Sequence, residues 1–147
     1  MNNLLRAVFF AAIALMFAAN PSYAYNSKAE SLLSTGDTKL SAGNYKEAIA
    51  DFTQAIELEP RLSTSDLVKA YFNRGLAKSG TGDSQGAKAD FIKVTELDRT
   101  PKDAVGYYNR ATAYSIIGNT REAVADYKKA ASLGNIPAEE WLKKNGY

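Results

Sequence analysis

The stretch GNYKEAIADFTQAIELEP, residues 43–60, decides the fold because it recurs twice more along the chain. Its copies are GDSQGAKADFIKVTELDR at residues 82–99 and GNTREAVADYKKAASLGN at residues 118–135. The leading glycines lie 39 and 36 residues apart, and alanine and aromatic side chains follow each of them at helical spacing. A period in this range is typical of repeat architectures, in which neighbouring copies stack and bury a continuous core.

A second predicted helix precedes each copy, reading LLSTGDTKLSA from Leu32, YFNRGLAKSGT from Tyr71 and YYNRATAYSII from Tyr107. Small residues recur where the helices of a pair would meet, and they allow the close approach that packing of ridges into grooves needs. These positions are Gly36 with Ala48, Gly75 with Ala87, and Ala111 with Ala123. A bulky aromatic residue follows in each second helix, at Phe52, Phe91 and Tyr127.

The pattern predicts no strand and seven helices, over residues 28–42, 45–58, 67–81, 84–98, 102–117, 120–133 and 137–145. Good N-cap residues follow the three glycines, at Asn44, Asp83 and Asn119. Glu47 and Glu122 lie three residues after the asparagines, as in a capping box. Pro101 suits the first position of a helix that begins after Thr100.

These residues resemble the tetratricopeptide repeat (TPR), whose unit is two helices in about 34 residues. The resemblance implies an all-α TPR α-solenoid with three helix-turn-helix repeats, at about residues 29–62, 68–101 and 104–137, in a domain over residues 25–147. The wider spacings imply about five and two extra residues between repeats. Lys39 and Lys78 depart from the family pattern, which usually has tyrosine there.

A C-terminal capping helix is predicted over residues 137–145. Trp141 lies 34 residues after Tyr107 and opens a partial fourth copy. We expect Trp141 and Leu142 to cover the apolar face of the third repeat, with charged residues facing water, because a solenoid needs a polar end for solubility.

Residues 1–24 have the layout of a secretory signal peptide. Arg6 precedes an apolar run of 13 residues, and the sequence Ser22-Tyr23-Ala24 predicts cleavage after Ala24. The run is short for a membrane span, which needs about 20 residues. We expect a periplasmic or secreted protein with no membrane span after cleavage, and the alternative is an inner-membrane protein anchored by an uncleaved signal.

The composition excludes many chemistries. The chain of 147 residues has no histidine and no cysteine, so His-based catalytic triads, thiolate nucleophiles and the common zinc sites are absent. Its net charge is +2, and acidic residues interrupt the basic ones, which argues against a nucleic-acid partner. We therefore expect no enzyme, no cofactor and no metal site.

The resemblance implies that the first helix of each repeat lines a concave wall that binds partners. The inward positions predicted to bind a partner are Leu33 and Asp37 of the first repeat, Lys69, Phe72, Asn73 and Leu76 of the second, and Tyr108, Asn109 and Thr112 of the third. Glu30, Leu40 and Val105 complete the inward set. Asn73 and Asn109 hold equivalent places, and their amides would bond either a peptide backbone or a neighbouring repeat.

Two other sets of residues recur or align with a known TPR site. Arg74 and Arg110 recur with Asp51, Asp90 and Asp126, and we interpret them as pairs that fix the angle between helices rather than as ligand contacts. TPR domains that grip the C-terminal carboxylate of heat-shock chaperones use a clamp of Lys, Asn, Asn, Lys and Arg. Only the middle residue of that clamp matches here, because the five positions read Leu33, Asp37, Asn73, Val105 and Asn109.

The sequence therefore predicts a non-catalytic scaffold of the bacterial cell envelope, which binds a peptide or helix of another envelope protein on its concave face. The alternative is a self-assembling structural protein, for example a homodimer. This alternative rests on Leu32, Leu33 and Leu40, for which no capping helix is predicted at the N-terminal edge.

Overall fold

The computed structural model describes residues 21–58 and 62–147, and these residues form helices and no strand. The seven helices are α1 (Pro21–Ser41), α2 (Tyr45–Glu57), α3 (Thr64–Gly80), α4 (Ser84–Leu97), α5 (Ala104–Ile117), α6 (Thr120–Ser132) and α7 (Ile136–Lys144). Helices α1 and α2, α3 and α4, and α5 and α6 form pairs, and each second helix also packs on the helix that follows it. The all-α solenoid is confirmed, while residues 1–20 of the predicted signal peptide lie outside the described residues.

The structure moves several predicted helix boundaries. Helix α1 begins at Pro21, seven residues before the predicted start, and α3 begins at Thr64 after an N-cap at Ser63. Helix α5 begins at Ala104 because the Asp103 side chain accepts a hydrogen bond from the backbone N–H of Gly106. Pro101 therefore precedes the helix instead of opening it. Asp83 caps α4 as predicted.

The turn within each helix pair depends on a glycine with positive φ, and the three glycines have φ of 76° at Gly43, 83° at Gly82 and 94° at Gly118. The residue after each glycine donates its N–H to a carbonyl of the preceding helix, as in a Schellman motif. For Asn44 this acceptor is the carbonyl of Lys39, at 2.9 Å. The Asn44 and Asn119 side chains make no capping hydrogen bond, so the predicted capping boxes do not form.

The small-to-large pattern packs the helices as expected. A Cβ added at Gly36 would lie 2.8 Å from the Phe52 ring, and one added at Gly75 would lie 3.1 Å from the Phe91 ring. Phe52 and Phe91 are fully buried, and Tyr127 is 2% exposed in the third repeat. The core forms three clusters along the solenoid. The first includes three buried residues of the next pair, the second includes one, and the third includes residues of α7. Larger residues at the glycines would separate each pair.

Arginine–aspartate pairs join the two helices of the second and third repeats. Arg74 donates to both carboxylate oxygens of Asp90, at 2.8 and 2.7 Å. Arg110 binds Asp126 in the same way, at 2.6 and 2.8 Å. This paired geometry confirms that the recurring Arg and Asp residues fix the helix angle, because two parallel hydrogen bonds define the orientation of both side chains.

The lysines that depart from the family pattern also bind aspartates of the second helices. In the first repeat the position equivalent to Arg74 is Thr35, and Lys39 Nζ instead binds Asp51 at 2.6 Å. Lys78 Nζ adds a second cation to Asp90, at 2.9 Å. Burial acts to raise the pKa of Asp51, but hydrogen bonds from Lys39 and Thr35 outweigh it and hold the pKa below its ordinary value.

Helix α7 covers the third repeat as predicted. The Trp141 ring stacks on the Tyr127 ring with centroids 4.1 Å apart, and Leu142 is buried. The charged residues of the helix are exposed, at Glu139, Glu140, Lys143 and Lys144. Among the residues that the structure describes, none of the helices is long and apolar enough to span a bilayer.

Candidate partner-binding groove

The first helices of the three repeats form one wall, called the inner wall, and each neighbouring pair of them borders a junction. At junction one, between α1 and α3, Asp37 accepts a hydrogen bond from Asn73 Nδ2 at 2.7 Å through one carboxylate oxygen. Its other oxygen binds Lys69 Nζ at 2.6 Å. Both carboxylate oxygens and one amide donor are thus used within the chain. We conclude that polar bonds between repeats join α1 and α3 at junction one.

Junction two, between α3 and α5, is open. A groove with a volume of about 610 Å³ lies there, and the linker between α4 and α5 contributes to its wall. The apolar part of the lining is Val68, Phe72, Leu97, Pro101 and Val105. Val105 is 60% exposed, which is high for a large apolar side chain on an inward face. Asn73 and Asn109 are among the polar residues that α3 and α5 contribute to the lining.

The difference between the junctions follows from three equivalent positions. With the repeat spacings of 39 and 36 residues, Asp37, Lys69 and Asn73 of junction one correspond to Leu76, Val105 and Asn109 of junction two. An acid and a cation are therefore replaced by two aliphatic residues. In the described part of the chain, the Asn109 side chain makes no hydrogen bond, so its donors and acceptor face the groove unpaired.

Arg110 holds the linker that borders this groove. Its Nη1 donates to the backbone carbonyls of Asp98 and Arg99, at 2.9 and 2.6 Å, while the rest of the guanidinium binds Asp126. The hydrogen bonds to Asp126 raise the pKa of Arg110, although burial opposes them. Among the described residues, Nη1 of the equivalent Arg74 donates to the hydroxyl of Thr53, at 3.1 Å. Arg110 therefore fixes both a helix pair and one wall of the groove.

Asp98 is the half-buried acid of the linker. Burial raises the pKa of its carboxyl group above the ordinary value, and the charge of Arg110 opposes this effect. The raised pKa means that the folded protein penalises the ionised form of Asp98.

A family model for the tetratricopeptide repeat matches residues 29–62, 68–101 and 104–133. The chain belongs to the TPR family. Similar solved structures include the first TPR of Spaghetti (RPAP3) bound to the HSP90 peptide SRMEEVD, which is 25% identical with a TM-score of 0.60 and covers 81% of this chain and 90% of that one. The OM64 TPR domain of Arabidopsis is 25% identical, with a TM-score of 0.57 and coverage of 82% and 98%.

A bacterial structure shares the fold as well. A TPR-like protein from Chlorobium tepidum is 20% identical, with a TM-score of 0.57 over 83% of this chain and 92% of that one. The TPR fold identifies this chain as a protein–protein interaction module.

The TPR wall exposes only part of the predicted binding set. Leu33 is 5% exposed and Phe72 is 7% exposed, because Leu33 belongs to the first core cluster and Phe72 packs edge-on against Phe91. Neither side chain presents a substantial surface to a partner. The structural interpretation of Asn73 holds, since its amide bonds the neighbouring repeat.

The remaining predicted residues stand along the wall. Tyr108 packs edge-on against Tyr127, and Thr112 hydrogen-bonds the Tyr108 carbonyl at 2.9 Å. Lys69 and Asn109 line the groove, whereas Leu76 packs against the second core cluster. The structure thus gathers Lys69, Phe72, Asn73 and Asn109 around the groove of junction two, and it places Leu33 and Asp37 at junction one.

Sequence reasoning missed the residues of the linker, which include Arg99, Pro101 and Lys102. A signal for them existed, since the second repeat spacing implies two residues beyond the usual period. Within the described residues there is also no cluster of three or more acidic groups that could hold a metal ion.

Proposed function

We propose that this TPR protein is a non-catalytic scaffold of the bacterial cell envelope, and that the groove at junction two binds a segment of another envelope protein. The observation that carries the proposal is the combination of an exposed Val105 and an unpaired Asn109 amide in one groove. Apolar contact with a few oriented polar groups is the usual composition of a binding site.

The Asn109 amide favours an extended partner segment over a helix. A helix satisfies most of its own backbone N–H and C=O groups, whereas an extended segment leaves them available. An amide side chain can donate to a backbone carbonyl and accept from a backbone N–H, without reading the partner's side chains. Because the groove is short, we expect micromolar affinity, about −8 kcal/mol.

Co-purification from cells tests the proposal. Envelope proteins captured by the unaltered chain are compared with those captured by the Asn73→Ala/Asn109→Ala double variant. We expect the double variant to bind its partner about tenfold more weakly while retaining its helicity. Undiminished capture by a folded double variant would contradict the assignment of the groove.

The envelope location rests on the predicted signal over residues 1–24. Cleavage after Ala24 would remove the first turn of α1 and leave the helix from Tyr25 onward. N-terminal sequencing of the protein from fractionated cells should find Tyr25 in the periplasmic or secreted fraction. An intact Met1 in the inner-membrane fraction would instead support the anchored alternative.

Self-assembly remains the alternative to partner binding, but the edge that suggested it is less exposed than expected. Leu33 is buried, and Leu32 and Leu40 are partly buried against the first core cluster. We therefore expect a monomer, and light scattering over a range of concentrations measures this directly. A mass that rises with concentration would favour the homo-oligomer.

A further inference from the structure

The charges around the junction-two groove indicate what kind of segment it takes. Two acids line it, and the protein itself partly offsets the charge of each. Asp103 caps α5 through the N–H of Gly106, at 2.8 Å, and the charge of Arg110 acts on the half-buried Asp98. The negative charge of the lining is therefore partly balanced within the chain.

The cations of the linker are free by comparison. Arg99 and Lys102 are exposed, and in the described part of the chain neither forms an ion pair. Arg99 Nε makes one hydrogen bond, to the carbonyl of Glu96 at 3.2 Å, which leaves the outer guanidinium groups available. Lys69 also lines the groove, although Asp37 balances its charge.

Arg110 fixes the backbone of one of the two linker cations, Arg99, at the groove. It holds the carbonyls of Asp98 and Arg99 from the side of α5 and α6, so the backbone that carries Arg99 is fixed at the wall. A fixed cation recognises a carboxylate with less loss of entropy than a mobile one. Charge and position thus point to the same partner chemistry.

We propose that the groove takes an extended segment bearing acidic side chains, and that Arg99 and Lys102 recognise them while Asn109 binds the segment's backbone. The proposal rests on the function proposed above and specifies its partner. It concerns side-chain carboxylates within a segment, and not a free chain terminus.

Three pools of capped peptides of about eight residues test this, each acetylated and amidated so that the termini carry no charge. The pools share small and apolar positions and differ at two fixed positions, which hold glutamate, glutamine or lysine. Binding to the purified protein is measured by fluorescence anisotropy. We expect the glutamate pool to bind about tenfold more tightly than the glutamine pool at low salt, with the difference shrinking as salt rises.

A charge reversal with a matched control sharpens the test. Arg99→Glu/Lys102→Glu should lose the preference for glutamate and favour the lysine pool. Lys46→Glu/Lys88→Glu makes the same change in net charge at exposed positions on α2 and α4 that do not line the groove, and it should keep the preference. Equal binding of the glutamate and glutamine pools, or equal losses in both variants, would overturn the acidic preference.

The Asn109→Ala variant distinguishes failure of the acidic preference from failure of the proposed partner binding in the groove. If charge has no effect but Asn109→Ala weakens every pool, the groove binds peptides and only the acidic preference is wrong. If no pool binds and cells yield no capture that depends on Asn109, both proposals are wrong.

Discussion

The two junctions of the inner wall are built on the same scaffold and differ in what faces the groove. At junction one, Asp37 binds Lys69 and Asn73, and the polar groups satisfy one another. At junction two, Leu76 and Val105 stand at the equivalent positions. In the described part of the chain, no acid bonds the Asn109 amide as Asp37 bonds that of Asn73. Substitutions at these positions therefore change the polar bonding between repeats while the small and aromatic core residues stay the same.

The arginine–aspartate pairs show how that core stays constant. Arg74 and Arg110 bind their aspartates with nearly the same geometry. These shared contacts set the angle of the helices, and the side chains that differ at the three equivalent positions decide what each junction presents.

The largest expected effect comes from removing the Arg110–Asp126 pair, which joins α5 and α6 beside junction two. Arg110→Ala leaves the carboxylate of Asp126, which is 10% exposed, without its cation and releases the linker. We expect a loss of about 3 kcal/mol in the free energy of unfolding, because breaking a largely buried pair leaves an uncompensated charge. Urea denaturation measures it, with Arg121→Ala on the exposed face of α6 as the control. A loss below about 1 kcal/mol would show that the pair is not structural.

A transplant should convert junction two into junction one. Leu76→Asp/Val105→Lys places the acid and the cation beside Asn109, where they would bond its amide as Asp37 bonds Asn73. We expect partner capture to fall about thirtyfold, equivalent to about 2 kcal/mol. Circular dichroism checks that the variant keeps its helices. If the folded variant still captures its partner, these two positions do not determine the difference between the junctions.

Substitutions of Asn73 and Asn109 should have different effects on partner capture and on stability. Asn109→Ala should weaken capture about tenfold, or about 1.4 kcal/mol, with little change in melting temperature. Asn73→Ala should cost about 1 kcal/mol of stability, because it removes a hydrogen bond between repeats, and it should leave capture nearly unchanged. Thermal melting and affinity measurements on both single variants decide between these roles.

A smaller effect concerns chain termini. The RPAP3 domain is bound to the HSP90 peptide SRMEEVD, but four of the five clamp positions differ in this chain. We expect amidation of the SRMEEVD C-terminus to change its affinity for this protein by about twofold or less. Isothermal titration of the free and amidated peptides measures the difference. A strong preference for the free carboxylate would indicate an unrecognised clamp.

The smallest effect is at Asp98. Because burial raises its pKa, the ionised side chain destabilises the fold above that pKa, and the penalty disappears as the carboxyl is protonated. Asp98→Asn should therefore raise the free energy of unfolding by about 0.3 kcal/mol near pH 7. The advantage should fade toward about pH 4. Melting curves at both pH values check the sign, and an advantage that grows at low pH would contradict it.

The repeated small and aromatic residues made the fold predictable, because Gly36 with Phe52 and Gly75 with Phe91 are local matches repeated at a constant period. The recurring Arg and Asp residues were interpretable for the same reason. Helix starts were less predictable, since Asp103 competes with Pro101 and only the observed cap shows which begins α5.

The site was only partly predictable. Sequence spacing shows that Asn73 and Asn109 are equivalent, but it does not show that Asp37 reaches one of them and no acid reaches the other. The burial of Leu33 and Phe72 was missed because inward residues of a helix pair also contact the next pair. The contribution of Arg99 depends on the path of the linker, which has no periodic signal.

Photo-crosslinking in cells tests the central claim most directly, namely that partners bind at junction two and not at junction one. A photoreactive amino acid is placed at Val105 in one variant and at Glu30 in another, an exposed residue of α1 that holds the same register in the first repeat. We expect a discrete adduct from position 105 that Asn109→Ala diminishes, and no such adduct from position 30. An equal or stronger adduct from position 30, insensitive to Asn109→Ala, would contradict the assignment.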